Sequence, residues 1–396
     1  MPATTTLILG GGFGGIAAAN ELRRLLPVAH AITVVDKTSH FHVGAGKTWI
    51  MLGERTVEQI SRSRRALLDP AVRFVQADVV GLDLPNRTVI TDREPLRWDH
   101  LILALGADLN PAAVPGLAEA AYSFYTVEGA ERLRDALARF DGGDVVILIP
   151  KVPFKCPPAP YEGAMLLHHA FGSRGLTGKV RIAVYTVEGA PMPTAGAEMG
   201  QFIKDELAAR GIEYHPLAVT SRVDAAARCV VFENGLEVAY DLLIAIPPHE
   251  APRAVRDAGL TNPSGWVPVD PQTLRVKTPP DAGEAAVYAI GDIAAVPLPG
   301  RFKPDVPLAL PKAGVFAEAQ GRVVAQRVAA EILGGVPGEP FDGRGFCYLE
   351  TGGGHAVRAE GAFFDLPHPI MRKRSPSQAD FRDKLDWVAR HLRPPA

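Results

Sequence analysis

Residues 5–15 read Thr-Thr-Leu-Ile-Leu-Gly-Gly-Gly-Phe-Gly-Gly, and the fold follows from them. The apolar run before Gly10 reads as a short buried strand, and Ile16 to Leu26 reads as a helix. Gly10, Gly12 and Gly15 have the spacing G-x-G-x-x-G, with Phe13 and Gly14 inside it. A second buried strand, Ala31-Ile32-Thr33-Val34-Val35, ends in Asp36, 21 residues beyond Gly15. Strand, glycine turn, helix, strand and terminal acid make a βαβ dinucleotide-binding unit. Gly10 permits the tight turn, Gly12 lets a pyrophosphate approach the backbone, and Gly15 lets the helix pack on the sheet. The helix N-terminus supplies free N–H donors and partial positive charge to the pyrophosphate. Asp36 would accept from a ribose hydroxyl, and Lys37 and Val79 join it as candidate cofactor contacts.

Outward from this unit, the 396 residues suggest two or three domains. Val72–Asp83 and Arg87–Thr91 alternate with strand period, and Asp99–Gly106 is another buried strand. A second α/β pattern begins near residue 120, with helix 126–140, strand 144–149, helix 161–170, strand 180–185, helix 197–210 and strand 241–246. Strand 286–290 ends in Gly291-Asp292, and a helix is expected over 312–333. The expected fold is α/β, with two Rossmann-like three-layer domains of the FAD/NAD(P)-binding type and a C-terminal tail domain. Residues 1–115 and 265–335 form the first domain, 116–264 the second, and 336–396 a less regular interface or membrane-contact region.

Composition excludes several classes. The chain carries 42 basic and 44 acidic residues, a net charge of −2, which argues against a nucleic-acid binder. At 47% hydrophobic and 22% charged it is globular rather than disordered. No apolar run approaches the roughly 18 residues of a spanning helix. The start lacks a basic region followed by an apolar one, so no secretory signal is expected. Cys156, Cys229 and Cys347 are too few for a disulfide scaffold and lack metal-ligand spacing, so no metal site is expected.

The first unit alone admits NAD or FAD. Ala104-Leu105-Gly106 and Ile290-Gly291-Asp292, each closing a strand, choose FAD. Two-domain FAD reductases place such an aspartate on the ribityl chain, with the next helix pointing at the flavin pyrimidine. For Asp292 alone the plain alternative is a strand-end turn. The second unit lacks its own glycine turn. After strand 145–149 comes Pro150-Lys151-Val152-Pro153-Phe154-Lys155-Cys156-Pro157-Pro158, and proline has no N–H to offer a phosphate. NAD(P)H binding in that mode is therefore disfavoured. Cys156 precedes a helix and follows Lys155, a setting that lowers a thiol pKa. Cys229, in a strand, fits a small buried residue.

At this point the sequence resembles the sulfide:quinone oxidoreductase and flavocytochrome c sulfide dehydrogenase flavoproteins. The resemblance runs over almost the whole chain. It rests on Phe154–Glu162 (FKCPPAPYE), on Leu310–Gln320 (LPKAGVFAEAQ) and on Phe346-Cys347-Tyr348. It implies that Cys156 and Cys347 form a redox-active bridge beside the flavin. It further implies that Glu162 is the acid/base and that Lys312 contacts the flavin. The implied mechanism is attack of hydrosulfide on the bridge, with Cys156 the choice for the flavin-facing thiolate. The plain readings are a surface carboxylate for Glu162, packing residues for His168 and His169, and a solvated helix start for Lys312. The segment Phe41–Lys47 has no cysteine, so FAD is expected to be non-covalent there. Nor does a cysteine precede Cys156, as often happens in the quinone-reducing branch.

The implied partners are sulfide or a small sulfur species and a quinone or cytochrome acceptor. Residues 371–396 hold seven basic and three acidic residues. Phe381, Leu385, Val388 and Leu392 fall on one helical face. The apolar run Phe363–Met371 leads into Arg372-Lys373-Arg374. An apolar loop with a basic flank and an amphipathic helix suits peripheral membrane contact, which favours quinone. The alternative is packing on its own domain or on a second copy in a homo-oligomer. The expected location is cytoplasmic, peripheral on the inner face of the membrane. A soluble sulfur-oxidising flavoprotein, an NADH:quinone reductase and a flavin binder without sulfide turnover are the competing readings.

Overall fold

The computed structural model describes residues 3–277 and 286–395. Thr5–Leu9 is a strand, Phe13–Leu25 a helix and Ala31–Asp36 the next strand, so the opening unit forms as its pattern predicts. Five parallel strands make its sheet, in the order Ala286–Ala289, His100–Leu103, Thr5–Leu9, Ala31–Asp36, Arg73–Gln76. Leu7, Ile8, Leu9, Val34 and Val35 are fully buried. Helices cover both faces of such a sheet, which is why its strands are continuously apolar. The helix Gly314–Leu333 packs on Phe13–Leu25 at very short range. A Cβ on Gly321 would lie 2.4 Å from the Gly14 carbonyl oxygen.

A second parallel sheet has the order Glu213–His215, Val180–Thr186, Gly143–Ile149, Leu242–Ala245. In both sheets the first strand of the unit lies in the interior, with its successor on one side and a later strand on the other. That is a topological switch point, and ligands bind outside the carboxyl ends of the strands there. In this chain those ends are Gly10 and Pro150.

Three expectations need correction. Val72–Asp83 is not one strand. Arg73–Gln76 joins the parallel sheet, whereas Val79–Asp83 pairs antiparallel with Thr88–Thr91. The break is held by Ala77 N–H on the Asp36 carbonyl and Asp78 N–H on Asp92 Oδ1. The late helix starts at Gly314, because the Lys312 carbonyl is committed to the Cys156 N–H at 2.8 Å. The region after 340 is regular: Arg344–Gly352, His355–Ala362 and Ile370–Lys373 form an antiparallel sheet, followed by the helix Gln378–Arg390. The apolar face of that helix is not free for a membrane. Val388 and Trp387 are buried, and Phe381, Leu385 and Leu392 pack on the same core. No helix among the described residues is long and apolar enough to cross a membrane.

Candidate active site

A cavity of about 1600 Å³, counting the part open to solvent, is lined by the segments that follow the two carboxyl ends, Gly12–Gly14 and Lys155–Ala159. Gly12, Phe13, Gly14, Ala104 and Gly106 line its first side, and Gly291, Asp292 and Lys312 continue it. Gly10 and Gly15 do not line it. They close the turn beneath, with Gly10 at φ +104° and no room for a side chain at either position. A Cβ would lie 2.2 Å from the Ala104 oxygen at Gly10, and 1.9 Å from the Gly10 oxygen at Gly15. Gly12 and Gly106 have nothing within 4 Å of that position, so their bare backbones leave the cavity open. This cradle fits FAD. Gly15→Ala should push the turn apart at a cost of about 1–3 kcal/mol. FAD should then bind roughly 5–150-fold more weakly, as read by titrating apoprotein with FAD. Unchanged affinity would contradict the cradle.

Asp36 sits at the carboxyl end of its strand, but its oxygens already have partners. Oδ2 accepts from Gly11 N–H at 2.8 Å and pairs with Arg64 at 3.2 Å, while Oδ1 accepts from Thr38 N–H at 2.9 Å. Arg64, which sequence reasoning missed, thus fastens Asp36 and the Gly11 carbonyl to the glycine turn. Lys37 is exposed and Val79 belongs to the antiparallel sheet; neither lines the cavity. Gly291 N–H donates to the buried Gln320 at 2.7 Å, which places Asp292 at the cavity wall.

The proline-rich loop brings Cys156 to the same cavity, and the strand Arg344–Gly352 brings Cys347. The two thiols are not bonded to each other. Cys156 has φ +57°, and its N–H donates to the Lys312 carbonyl. Its thiol does not have the lowered pKa expected of a helix N-terminus. Burial pushes it up to about 12, aided by the Glu162 carboxylate. Cys347 is likewise pushed up to about 12 by burial and by charge on Cys156. The helix-end argument weighs one local dipole; removal from water outweighs it.

Glu162 is not a surface carboxylate. It is 3% exposed and bonded to Lys384 Nζ at 2.5 Å. Lys384 also binds Glu350, and Trp49 Nε1 donates to Glu350 at 2.9 Å. Burial raises the Glu162 pKa, and the like charge of Glu350 adds to this against the pull of Lys384. Burial works against the Lys384 ammonium, but the two carboxylates outweigh it and hold the charge. Lys384 could have been found. It lies within the apolar stripe of its helix, between Phe381 and Val388, where a solvated lysine has no place.

Lys312 is no solvated helix start. It is 7% exposed, lies 3.4 Å over Trp266 and donates to the Asp292 carbonyl. Burial pulls its pKa down to about 8. His168 and His169 stay out of the cavity, and His169 packs on the turn at Gly352.

In the second unit, Glu188 lies two residues beyond its strand, near the place Asp36 takes in the first. It is buried, and Tyr161 donates to it at 2.5 Å from the helix that follows the proline loop. The chain's own hydroxyl therefore occupies the carboxylate that would face a ribose.

Near Met192, Thr194 and Met371, at the rim of the cavity, two loops expose apolar side chains. Phe302 and Val306 are on one, Leu366 on the other and Ile370 at the start of the strand that follows it, at 38–69% exposure. Phe302 stacks on His368 at 5.0 Å, and Arg301 N–H donates to the Pro367 carbonyl.

The pyridine nucleotide-disulphide oxidoreductase family matches residues 4–148. The central part of the sulfide dehydrogenase [flavocytochrome c] flavoprotein chain matches residues 130–247. The mitochondrial sulfide:quinone oxidoreductase of Mus musculus is 25% identical over 364 residues, covering 89% of this chain and 77% of that protein. The sulfide-quinone reductase of Aquifex aeolicus is 25% identical over 346 residues, covering 83% and 77%. The solved structure of the sulfide:quinone oxidoreductase from Aquifex aeolicus superposes with a TM-score of 0.86 at 23% identity, over 98% of this chain and 90% of that one. Glycine cradle, absent second glycine turn and these likenesses agree: the chain has the fold of the two-dinucleotide-binding-domain flavoproteins and is similar to the sulfide:quinone oxidoreductases and the flavocytochrome c sulfide dehydrogenase flavoproteins among them.

Proposed function

We propose that this chain is an FAD-dependent enzyme that oxidises sulfide through Cys156 and Cys347 and passes the electrons to quinone. One observation carries the reading. Two cysteines 191 residues apart in sequence line one cavity, beside a glycine cradle fitted to FAD. Bound FAD supplies a two-electron acceptor next to the thiols. In the oxidised enzyme the two sulfurs form a bridge. Hydrosulfide attacks it at Cys347: a bond forms between substrate sulfur and Cys347, the bond between the cysteines breaks, and Cys156 leaves as thiolate. Burial raises the pKa of Glu162 against the pull of Lys384, so this carboxylate can exchange a proton at the cavity wall. Lys312 presents buried positive charge to the flavin end of the cavity.

The second crevice supports a sulfur donor over a nicotinamide one, since prolines replace its glycine turn and Tyr161 fills Glu188. The exposed loops support quinone. Phe302, Val306, Leu366 and Ile370 form an apolar rim flanked by Arg301, Lys303, Arg372 and Arg374, which suits an anionic membrane surface. Phe302→Ser with Leu366→Asp should weaken binding to phosphatidylserine vesicles by at least about tenfold, each large side chain contributing roughly 1.5–3 kcal/mol. Sedimentation with vesicles reads this, and unchanged binding would remove the loops from the membrane.

The deciding assay is anaerobic, with sulfide as donor and either decylubiquinone or cytochrome c as acceptor. Rapid reduction of decylubiquinone is expected. Reduction of cytochrome c alone would reassign the acceptor, and reduction of neither would overturn the reading.

A further inference from the structure

Lys47 opens the short helix Lys47–Met51 and lines the cavity with Cys156. Its only side-chain hydrogen bond among the described residues runs from Nζ to the Tyr125 carbonyl, at 2.6 Å. Among those residues it forms no ion pair. An ammonium has three donors, so two are left without a protein acceptor on the cavity wall. Tyr125 also reaches the thiol loop. Its hydroxyl donates to the Lys155 carbonyl at 3.0 Å, on the peptide that leads into Cys156. One tyrosine therefore ties the lysine and the thiol loop together.

The charges around Lys47 come from several elements. Lys155 and Cys156 lie on the thiol loop, Asp292 on the turn before the late helix, and Glu128 on the helix Val127–Arg139. His42 and His249 also feel its charge. Burial first, then Lys155, pulls the Lys47 pKa down to about 7, while Cys156 pulls the other way. Hydrogen sulfide also ionises near neutrality, so a proton can pass between the two with little penalty.

Opening a cysteine bridge in this cavity creates a thiolate at Cys156, which burial and the Glu162 carboxylate oppose and the Lys384 ammonium favours. We propose that Lys47 takes the proton of hydrogen sulfide and then faces the Cys156 thiolate as its counter-ion. The inference rests on the sulfide reading above. In this step the S–H bond of hydrogen sulfide breaks and an N–H bond forms on Lys47. The resulting hydrosulfide attacks Cys347, and the electron pair of the old S–S bond stays on Cys156. The cavity begins with a neutral amine and a neutral substrate. It ends with an ammonium, a thiolate and a protein-bound persulfide, so its net charge does not change. The two electrons leave to the acceptor already named.

Two substitutions separate base from counter-ion. Lys47→Met removes both roles. Lys47→Arg keeps a cation that cannot give up its proton. The first readout needs neither sulfide nor turnover: the rate at which iodoacetamide alkylates Cys156 in holoprotein carrying Cys347→Ser. Lys47→Met should slow this by about tenfold or more, because an opposite charge at short range moves a pKa by about 1–3 units. Lys47→Arg should leave it near the parent rate. The second readout is sulfide-dependent flavin reduction against pH. Lys47→Arg should lose about tenfold or more at acid pH, where hydrogen sulfide is undissociated, and recover at alkaline pH. Lys47→Met should be slow throughout. Alkylation unchanged in Lys47→Met would overturn the counter-ion role, and an unaltered pH profile in Lys47→Arg the base role. A parent protein inert to sulfide would overturn the proposed function, while alkylation would still decide whether Lys47 and Cys156 are paired.

Discussion

Cys156→Ser should abolish sulfide-dependent quinone reduction, lowering the rate by about 10⁴-fold or more, as loss of a nucleophile does in enzymes whose residues act as a unit. A hydroxyl cannot form the bridge that sulfide must open. The fold should tolerate the change. Serine keeps the N–H that donates to the Lys312 carbonyl and adds no volume. FAD content should therefore match the parent. Cys347→Ser should fall equally far, and the double variant no further, since either loss removes the whole bridge. Stopped-flow bleaching of the flavin by sulfide under anaerobic conditions is the measurement. Bleaching within tenfold of the parent in either single variant would refute the cysteine mechanism.

Lys384→Ala should produce the largest loss of stability. Lys384 is 1% exposed and joins Glu162, on the thiol helix, to Glu350, on the strand that carries Cys347. Removing it leaves two carboxylates buried side by side. Breaking a buried pair in this way costs about 3–5 kcal/mol, a fall of several degrees in Tm for a protein of this size. Glu162→Gln with Glu350→Gln in the same background should restore much of the loss, because neutral amides need no counter-charge. Thermal unfolding followed by circular dichroism would show both effects. A single Lys384→Ala variant that melts with the parent would mean the triad contributes no net stability.

The parts of the molecule legible in the sequence are those whose cause is local. Gly10 to Gly15 and Asp36 could be read because a turn, a helix start and a strand end need particular residues at fixed spacing. The missing glycine turn after Ile149 could be read for the same reason. The rest depends on burial, which spacing does not report. Cys156 looked activated from its neighbours in the chain, but the surrounding elements remove it from water and raise its pKa. Cys347 could be joined to Cys156 only by resemblance, since no periodicity links a loop to a strand 191 residues away. The apolar stripe of the last helix suggested a membrane, and the fold spends it on the core instead. Leu366 could be read within the apolar run Phe363–Met371, whereas Phe302, single in a Pro-rich loop, gave no such signal.

The segment 344–388 supplies Cys347, Lys384 and Trp387 to a cavity whose glycine cradle begins within the first fifteen residues. During synthesis the two ends of the site are therefore completed at very different times. A growing or truncated chain that stops short of residue 344 can contain the cradle and Cys156, yet it lacks Cys347, the other cysteine of the cavity. Such a fragment could hold a flavin without accepting electrons from sulfide.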